Sequence, residues 1–287
     1  MKRSLLASLA ILCLLAAPAP AAEPIKVGFS AEQTGGLAGI GRAVLLAAQI
    51  WAEDVNAQGG ILGRPVQLIY YDDQSNPALV PSIYTKLLDV DKVDLLIASG
   101  TNISTPAMPT VIEHKMVLMD MFALAVNEHF KYQRFFQIMP YGPDGKDSIS
   151  RGYFAAAMTM TPKPRTIALI GADAEFSKAA LDGARAHAKR LGLRIAYDRT
   201  YPPTTVDYGP IVRSVQATDA DLVFVASYPA DTAGVLRAAQ EIGLKAKMFG
   251  GPMVGLQYAA MKSQLGEQLN GILCYELYVR EPTMQFP

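Results

Sequence analysis

The chain has 287 residues, 51% of them hydrophobic, with 26 basic and 26 acidic side chains in balance. A neutral chain of this kind gives no electrostatic reason to expect nucleic acid or an anionic membrane surface as a partner. Its hydrophobic content suffices for packed cores without metals or disulfides, and only Cys13 and Cys274 carry thiols.

The N-terminus reads as an export signal. Lys2 and Arg3 precede an apolar run over 5–17, and Ala19-Pro20-Ala21 offers the small-x-small pattern of a signal peptidase site. The run is shorter than the roughly 20 residues a spanning helix needs, and Pro18 and Pro20 follow it at once. Residues 1–22 are therefore expected to be a signal peptide. Leu12 before Cys13 argues against a lipoprotein. Loss of the signal removes Cys13 and leaves Cys274, in an apolar strand-like run, as a buried free thiol.

Strand and helix patterns then alternate. A strand is expected at 25–30 and a helix at 38–57, where Ile40, Ala43, Val44, Ala47, Ala48, Trp51 and Val55 fall on one face. Gly59 and Gly60 can end that helix with left-handed backbone. Strands follow at 65–71 and 93–99 with a helix over 79–90 between them, and 72–77 is turn chemistry. A helix near 104–114, a strand at 117–121 and an extended piece at 135–139 complete the first block. After Pro140 the pattern restarts. Helices are expected at 146–160, 175–191, 207–217 and 231–242, strands at 166–170, 194–197, 222–226 and 248–250, and a final run at 271–278.

Two such blocks predict an α/β protein made of two doubly wound lobes, 23–140 and 141–272, each with a mostly parallel sheet. Ligands of open sheets sit beyond the carboxyl ends of the strands, so two facing edges make a cleft. Connections near 139–143 and 271–275 are the hinge candidates.

The stretch over 54–77, DVNAQGGILGRPVQLIYYDDQSNP, resembles the first βαβ unit of the leucine/isoleucine/valine-binding family, the periplasmic binding proteins of branched-chain amino acid ABC transporters. The segment over 201–243 shows the same family's Tyr-loop-Asp-aromatic helix start and its Leu-Arg-x-Ala helix ending in Gly. The similarity runs from Ile25 to about Tyr278. It implies a type I periplasmic-binding-protein fold, a periplasmic location, a small-molecule ligand, permease subunits of an ABC transporter as partners, a monomer, and no cofactor, metal or catalysis. Members continue beyond the point matching Pro287, so the resemblance implies that 273–287 begins a return segment cut short.

Site residues carry over from the same resemblance. Thr101, with Asn102 beside it, matches the anchor that holds the ligand carboxylate, although both could equally cap a helix near Ser104. Tyr228, ahead of Pro229, matches an aromatic cover from the second lobe. The departures remove polarity. Met253 stands where amino-acid binders place a Glu for the ligand ammonium, and Leu124 where they place a Thr. Phe122 replaces a small residue on the same wall, with Ala123 between it and Leu124. Phe176 replaces a Tyr, and Ile40 an aromatic. Each charge-assisted hydrogen bond contributes roughly 1.5–3 kcal/mol, so the expected guest is a small hydrophobic or aromatic carboxylate without an ammonium. An amino acid is the alternative, with Asp120 or Asn102 as a new ammonium acceptor.

Other classes fit less well. Gly39-x-Gly41 after the first strand, with Asp72 ending the second, suggests a dinucleotide site, but Val44 occupies the place of the third small residue. No Gly-x-Ser-x-Gly or His-Glu-x-x-His motif occurs. His114, His129 and His187 are expected on helix surfaces, and Asp72-Asp73 as loop and cap residues rather than metal ligands. A sensor subunit of the same architecture is compatible with the pattern.

Overall fold

A computed structural model describes residues 23–276; the expected signal peptide and the end of the return segment lie outside them. The first block forms β1 (Ile25–Ala31), α1 (Ala38–Ala57), β2 (Val66–Asp72), α2 (Val80–Asp89), β3 (Leu95–Ala98), α3 (Thr101–Glu113), β4 (Leu118–Asp120), α4 (Val126–Phe130) and β5 (Phe135–Gln137). The second forms α5 (Gly145–Ala157), β6 (Thr166–Ala172), α6 (Glu175–Arg190), β7 (Arg194–Tyr201), α7 (Gly209–Gln216), β8 (Leu222–Ala226), α8 (Pro229–Ile242), β9 (Met248–Gly251), α9 (Ala259–Leu265) and β10 (Ile272–Cys274).

The strands make two five-stranded sheets, ordered β2-β1-β3-β4-β5 and β7-β6-β8-β9-β10, and every pairing is parallel. The two lobes thus share one topology. In each, the order reverses beside the first strand, between β1 and β3 and between β6 and β8, where an open sheet leaves a crevice for a ligand. β10 carries the second sheet to Cys274, past the boundary expected at 272.

The cores follow the sequence pattern. Val44, Leu45, Ala48 and Ala52 of α1 are buried against the first sheet, whose other face packs on Val80, Tyr84 and Leu87 of α2 and Met108 and Val111 of α3. In the second lobe Phe154, Leu169, Ala180 and Phe224 form one layer, and Val212, Val225, Leu236 and Met253 the other. α5 and α6 approach so closely that a Cβ on Gly183 would lie 1.9 Å from the Lys146 carbonyl oxygen.

Two local expectations need correction. α3 starts at Thr101, not near Ser104. Gly100, at φ 152° and ψ −175°, takes backbone essentially reserved for glycine and turns the chain from β3 into the helix at once. Ser104 before Thr105-Pro106 imitates a cap, yet it lies fully buried inside the helix. His187 is not on a helix surface. It is buried between α5 and α6, 3.0 Å from Asp147 Oδ1, with its ring stacked on Phe154 at 5.0 Å. Cys274 is half-buried, and its Sγ receives Gln257 Nε2 at 3.4 Å. Among the described residues no helix is long and apolar enough to cross a membrane.

Candidate functional site

The two reversal points face each other across a cavity of about 320 Å3. On the first lobe its wall is the apolar face of α1 (Leu37, Ile40, Ala43, Val44, Ala47), the end of β1 at Glu32, the turn Ser99-Gly100, and the start of α3. Phe176, Tyr228, Val254, Gln257 and Tyr258 form the opposite wall, and Tyr141 and Tyr275 close the side next to the crossing between lobes. Met121 and Phe122, after β4, complete it. Among the described residues, no lysine, arginine or histidine lines the cavity.

Donors concentrate at the start of α3. The Thr101 and Asn102 N–H groups stand in the first helical turn, where no intrahelical acceptor exists, and that end carries the positive pole of the helix dipole. Thr101 Oγ1 accepts the Leu124 N–H at 2.8 Å, which leaves its hydroxyl proton available. Asn102 Oδ1 accepts the Tyr228 hydroxyl at 3.0 Å and the Phe176 N–H at 3.4 Å. Its Nδ2 is therefore the end left to face a guest. Asn102 is at once a wall residue and a place where the lobes touch.

Of the residues expected at the site, Thr101, Asn102, Phe122, Phe176, Tyr228 and Ile40 line the cavity together. Ala123, Leu124 and Met253 do not. Ala123 is fully buried in the first lobe's core. Leu124 is held by its backbone to Thr101, and its side chain packs into the second lobe's core beside Ile149. Met253 has no exposed surface: it sits behind the sheet with Val225 and Leu256. The wall position nearest to it belongs to Val254.

The sequence reading missed Glu32. It is 4% exposed, yet it lines the cavity, and its Oε2 receives the Ser99 hydroxyl at 3.0 Å. Burial pushes its carboxyl up to about 7, the charge of Asp73 adds to this, and the Ser99 hydrogen bond opposes it. The signal was an acid placed directly at the carboxyl end of the first strand. Asp120, at the end of β4, is also raised to about 7 by burial, against the N–H groups of Phe122 and Ala123, both 2.7 Å from Oδ1. Its Oδ2 has no partner. Asp231 is raised to about 6 by burial and receives the Tyr201 hydroxyl at 2.6 Å. Asp72 is the last residue of β2, not a loop residue as expected, and accepts the N–H groups of Gln33, Thr34 and Gln74. Asp73, just after the strand, is fully buried and accepts the Ser30 hydroxyl and the Ser75 N–H. Among the described residues, no group of three or more His, Cys, Asp or Glu side chains is arranged to hold a metal ion.

A cavity between two sheet edges, gripped by a helix start on one side and aromatic rings on the other, suits capture of a small molecule. Known proteins share the fold. The chain is 27% identical over 247 residues to the Leu/Ile/Val-binding protein homolog 7 of Brucella melitensis, covering 84% of itself and 61% of the length of that relative. Among solved structures it superposes with a TM-score of 0.72 on the branched-chain amino acid transporter substrate-binding protein LivJ of Streptococcus pneumoniae in complex with isoleucine, at 20% identity, covering 87% of this chain and 70% of that one. An R. palustris ABC transporter solute-binding protein in complex with 4-hydroxybenzoate gives 0.68 at 19% identity, with 80% and 62% covered. The profile of the family described as periplasmic binding protein matches residues 24–285, and the chain belongs to that family.

Proposed function

We propose that this protein is the solute-binding component of an ABC importer, working in the periplasm, and that it captures a small hydrophobic or aromatic carboxylate between its lobes without changing it chemically. The observation that carries the ligand reading is the donor count at α3. Two backbone N–H groups, the Thr101 hydroxyl and Asn102 Nδ2 stand together at one corner of a cavity whose remaining wall is mostly apolar and aromatic, with Glu32, Ser99 and Gln257 as its other polar members. A carboxylate offers about four lone-pair directions and needs donors of this kind. The apolar face of α1 and the rings of Phe122, Phe176 and Tyr258 suit the rest of such a guest.

Capture works by closure. A guest seated on α3 in the first lobe gains the contacts of Phe176 and Tyr228 only when the second lobe comes down, so binding favours the closed form. The crossing between β5 and α5, with Tyr141 and Tyr275 beside it, is the place for the bend. A permease reading the closed shape would then distinguish loaded from empty protein.

Glu32 favours one second reading. A carboxylate on the wall could pair with an ammonium, and the S. pneumoniae neighbour was solved with isoleucine. An ammonium, however, has three donors to satisfy, and Glu32 Oε2 already receives the Ser99 hydroxyl, while Gln257 Oε1 is a further wall acceptor without a partner among the described residues. Titration calorimetry with benzoate, 4-hydroxybenzoate, isovalerate, leucine and phenylalanine at neutral pH separates the two. Micromolar binding by an acid, with the amino acids at least tenfold weaker, is the expected result. Leucine or phenylalanine binding more tightly than every acid would replace this reading with the amino-acid one.

A further inference from the structure

Glu32 is the acidic wall residue that the carboxylate reading leaves without a task, and its placement is unusual. Its side chain is almost wholly buried, it opens on the cavity, and among the described residues Ser99 is the one side chain that donates to it. Ser99 lies two residues before Thr101, so Glu32 adjoins the corner where the donors converge. Among the described residues, the titratable groups close enough to share an electrostatic influence with Glu32 are Asp73 after β2, Asp120 at the end of β4, Tyr84 of α2, and Tyr258 of the second lobe. None is basic. A guest carboxylate entering this corner therefore meets a second carboxyl group with no cation to separate them.

Two carboxyl groups in one dry site do not both ionise; they hold one proton between them. We propose that Glu32 receives the guest carboxylate in its acid form, donating a hydrogen bond to it while Ser99 donates to Glu32, so that one proton from solvent enters the site with each guest. Glu32 then acts as a specificity residue. It accepts a monocarboxylate together with a proton and gives no return for a second negative charge. This inference rests on the carboxylate reading given above.

The sign of the pH dependence follows. The guest acids are ionised throughout the neutral range. Burial already lifts the free Glu32 carboxyl to about 7, and a guest carboxylate beside it lifts it further. Below about pH 7 Glu32 carries its proton before the guest arrives, and affinity is flat. Above that, a proton must be taken up on binding, and affinity falls toward tenfold per pH unit.

The test is titration calorimetry of the whole chain with benzoate and 4-hydroxybenzoate from about pH 6 to about pH 9, in two buffers of different ionisation enthalpy. Near pH 8 close to one proton should enter per guest. Glu32→Gln keeps a donor toward the guest, though a weaker one than a carboxylic acid, and an acceptor for Ser99, so it should still bind these acids, several-fold more weakly than the wild type at about pH 6, and lose the slope. The proton count on the wild type stands even if the variant folds poorly. Wild-type affinity independent of pH, a slope that persists in Glu32→Gln, or loss of all binding in a folded Glu32→Gln would each overturn the proposal while leaving the carboxylate reading intact. If no acid binds at any pH, or leucine binds more tightly as pH rises, the carboxylate reading itself fails and takes this inference with it.

Discussion

The Tyr228 hydroxyl of the second lobe donates to Asn102 Oδ1 of the first at 3.0 Å, and this bond joins the lobes directly at the cavity. It forms only when the lobes meet, so its free energy belongs to closure rather than to folding of either half. A neutral buried hydrogen bond contributes about 0.5–1.5 kcal/mol. Tyr228→Phe keeps the ring against Phe176, at 5.9 Å between centroids, and removes the donor. Ligand affinity should fall roughly threefold to tenfold, with the melting temperature of the ligand-free protein nearly unchanged. Calorimetry and thermal denaturation together check this. A large loss of stability without ligand would show that the bond holds the fold.

Met253 gives the opposite kind of prediction. Its side chain is sealed in the core behind the second sheet, so Met253→Glu places a charge where no cation or donor waits. An uncompensated buried charge costs several kcal/mol, and for a domain of this size each kcal/mol moves the melting temperature by roughly 2–4 °C. The variant should melt at least 10 °C lower or fail to accumulate, with no gain of amino-acid binding. Met253→Leu, which conserves volume, should behave much like the wild type. Val254, on the wall, is the position at which a change of side chain should alter ligand preference.

Much of the scaffold was legible in the sequence because its signals are local. The α1 face, the Gly59-Gly60 stop and the alternation of apolar runs with turn residues each describe one element. Six of the residues carried over from the family resemblance (Ile40, Thr101, Asn102, Phe122, Phe176 and Tyr228) line the cavity, each lying just after a strand or in the first turn of a helix. Glu32 escaped because its burial is a long-range effect. In sequence it begins the polar loop Glu32-Gln33-Thr34, and its burial needs distant parts of the chain, Ser99 on its carboxylate and Gly41 of α1 against its backbone. Met253 was misread for a related reason: one residue of register separates a position behind the sheet from Val254 on the wall. Ser104 imitated a helix start while Gly100, through its backbone alone, provided the real one.

Asp120 makes stability depend on pH in a direction that can be worked out. Burial raises its carboxyl from the ordinary range to about 7 in the folded protein, whereas in the unfolded chain it titrates near 4. The unfolded state therefore gives up its proton first, and this group's share of stability is lost as pH rises through the interval between those values. Asp120→Asn keeps an oxygen for the N–H groups of Phe122 and Ala123 and cannot ionise. It should melt a few degrees higher than the wild type at about pH 8, and the difference should shrink or reverse near pH 5. Denaturation scans at the two pH values decide this, and a variant destabilised equally at both would show that Oδ2 has a task other than titration.

Gly41 fixes the wall that Glu32 belongs to. A Cβ on it would lie 2.1 Å from the Glu32 carbonyl oxygen and 2.8 Å from its Cα, both main-chain atoms that a rotamer change cannot clear. Gly41→Ala must therefore push α1 away from the end of β1, carrying Ile40 and Val44 outward and loosening the cover over Glu32. Overpacking of this kind costs about 1–3 kcal/mol, which alone would leave the protein folded with a lowered melting temperature. The sharper effect should be on the cavity. Ligand affinity should drop at least tenfold, and Glu32, now nearer water, should titrate closer to an ordinary glutamate. In the variant the pH above which binding weakens should accordingly move down from about 7. Gly39 has open space where its Cβ would stand, so Gly39→Ala on the same helix is the control. It should leave both affinity and its pH dependence as they are.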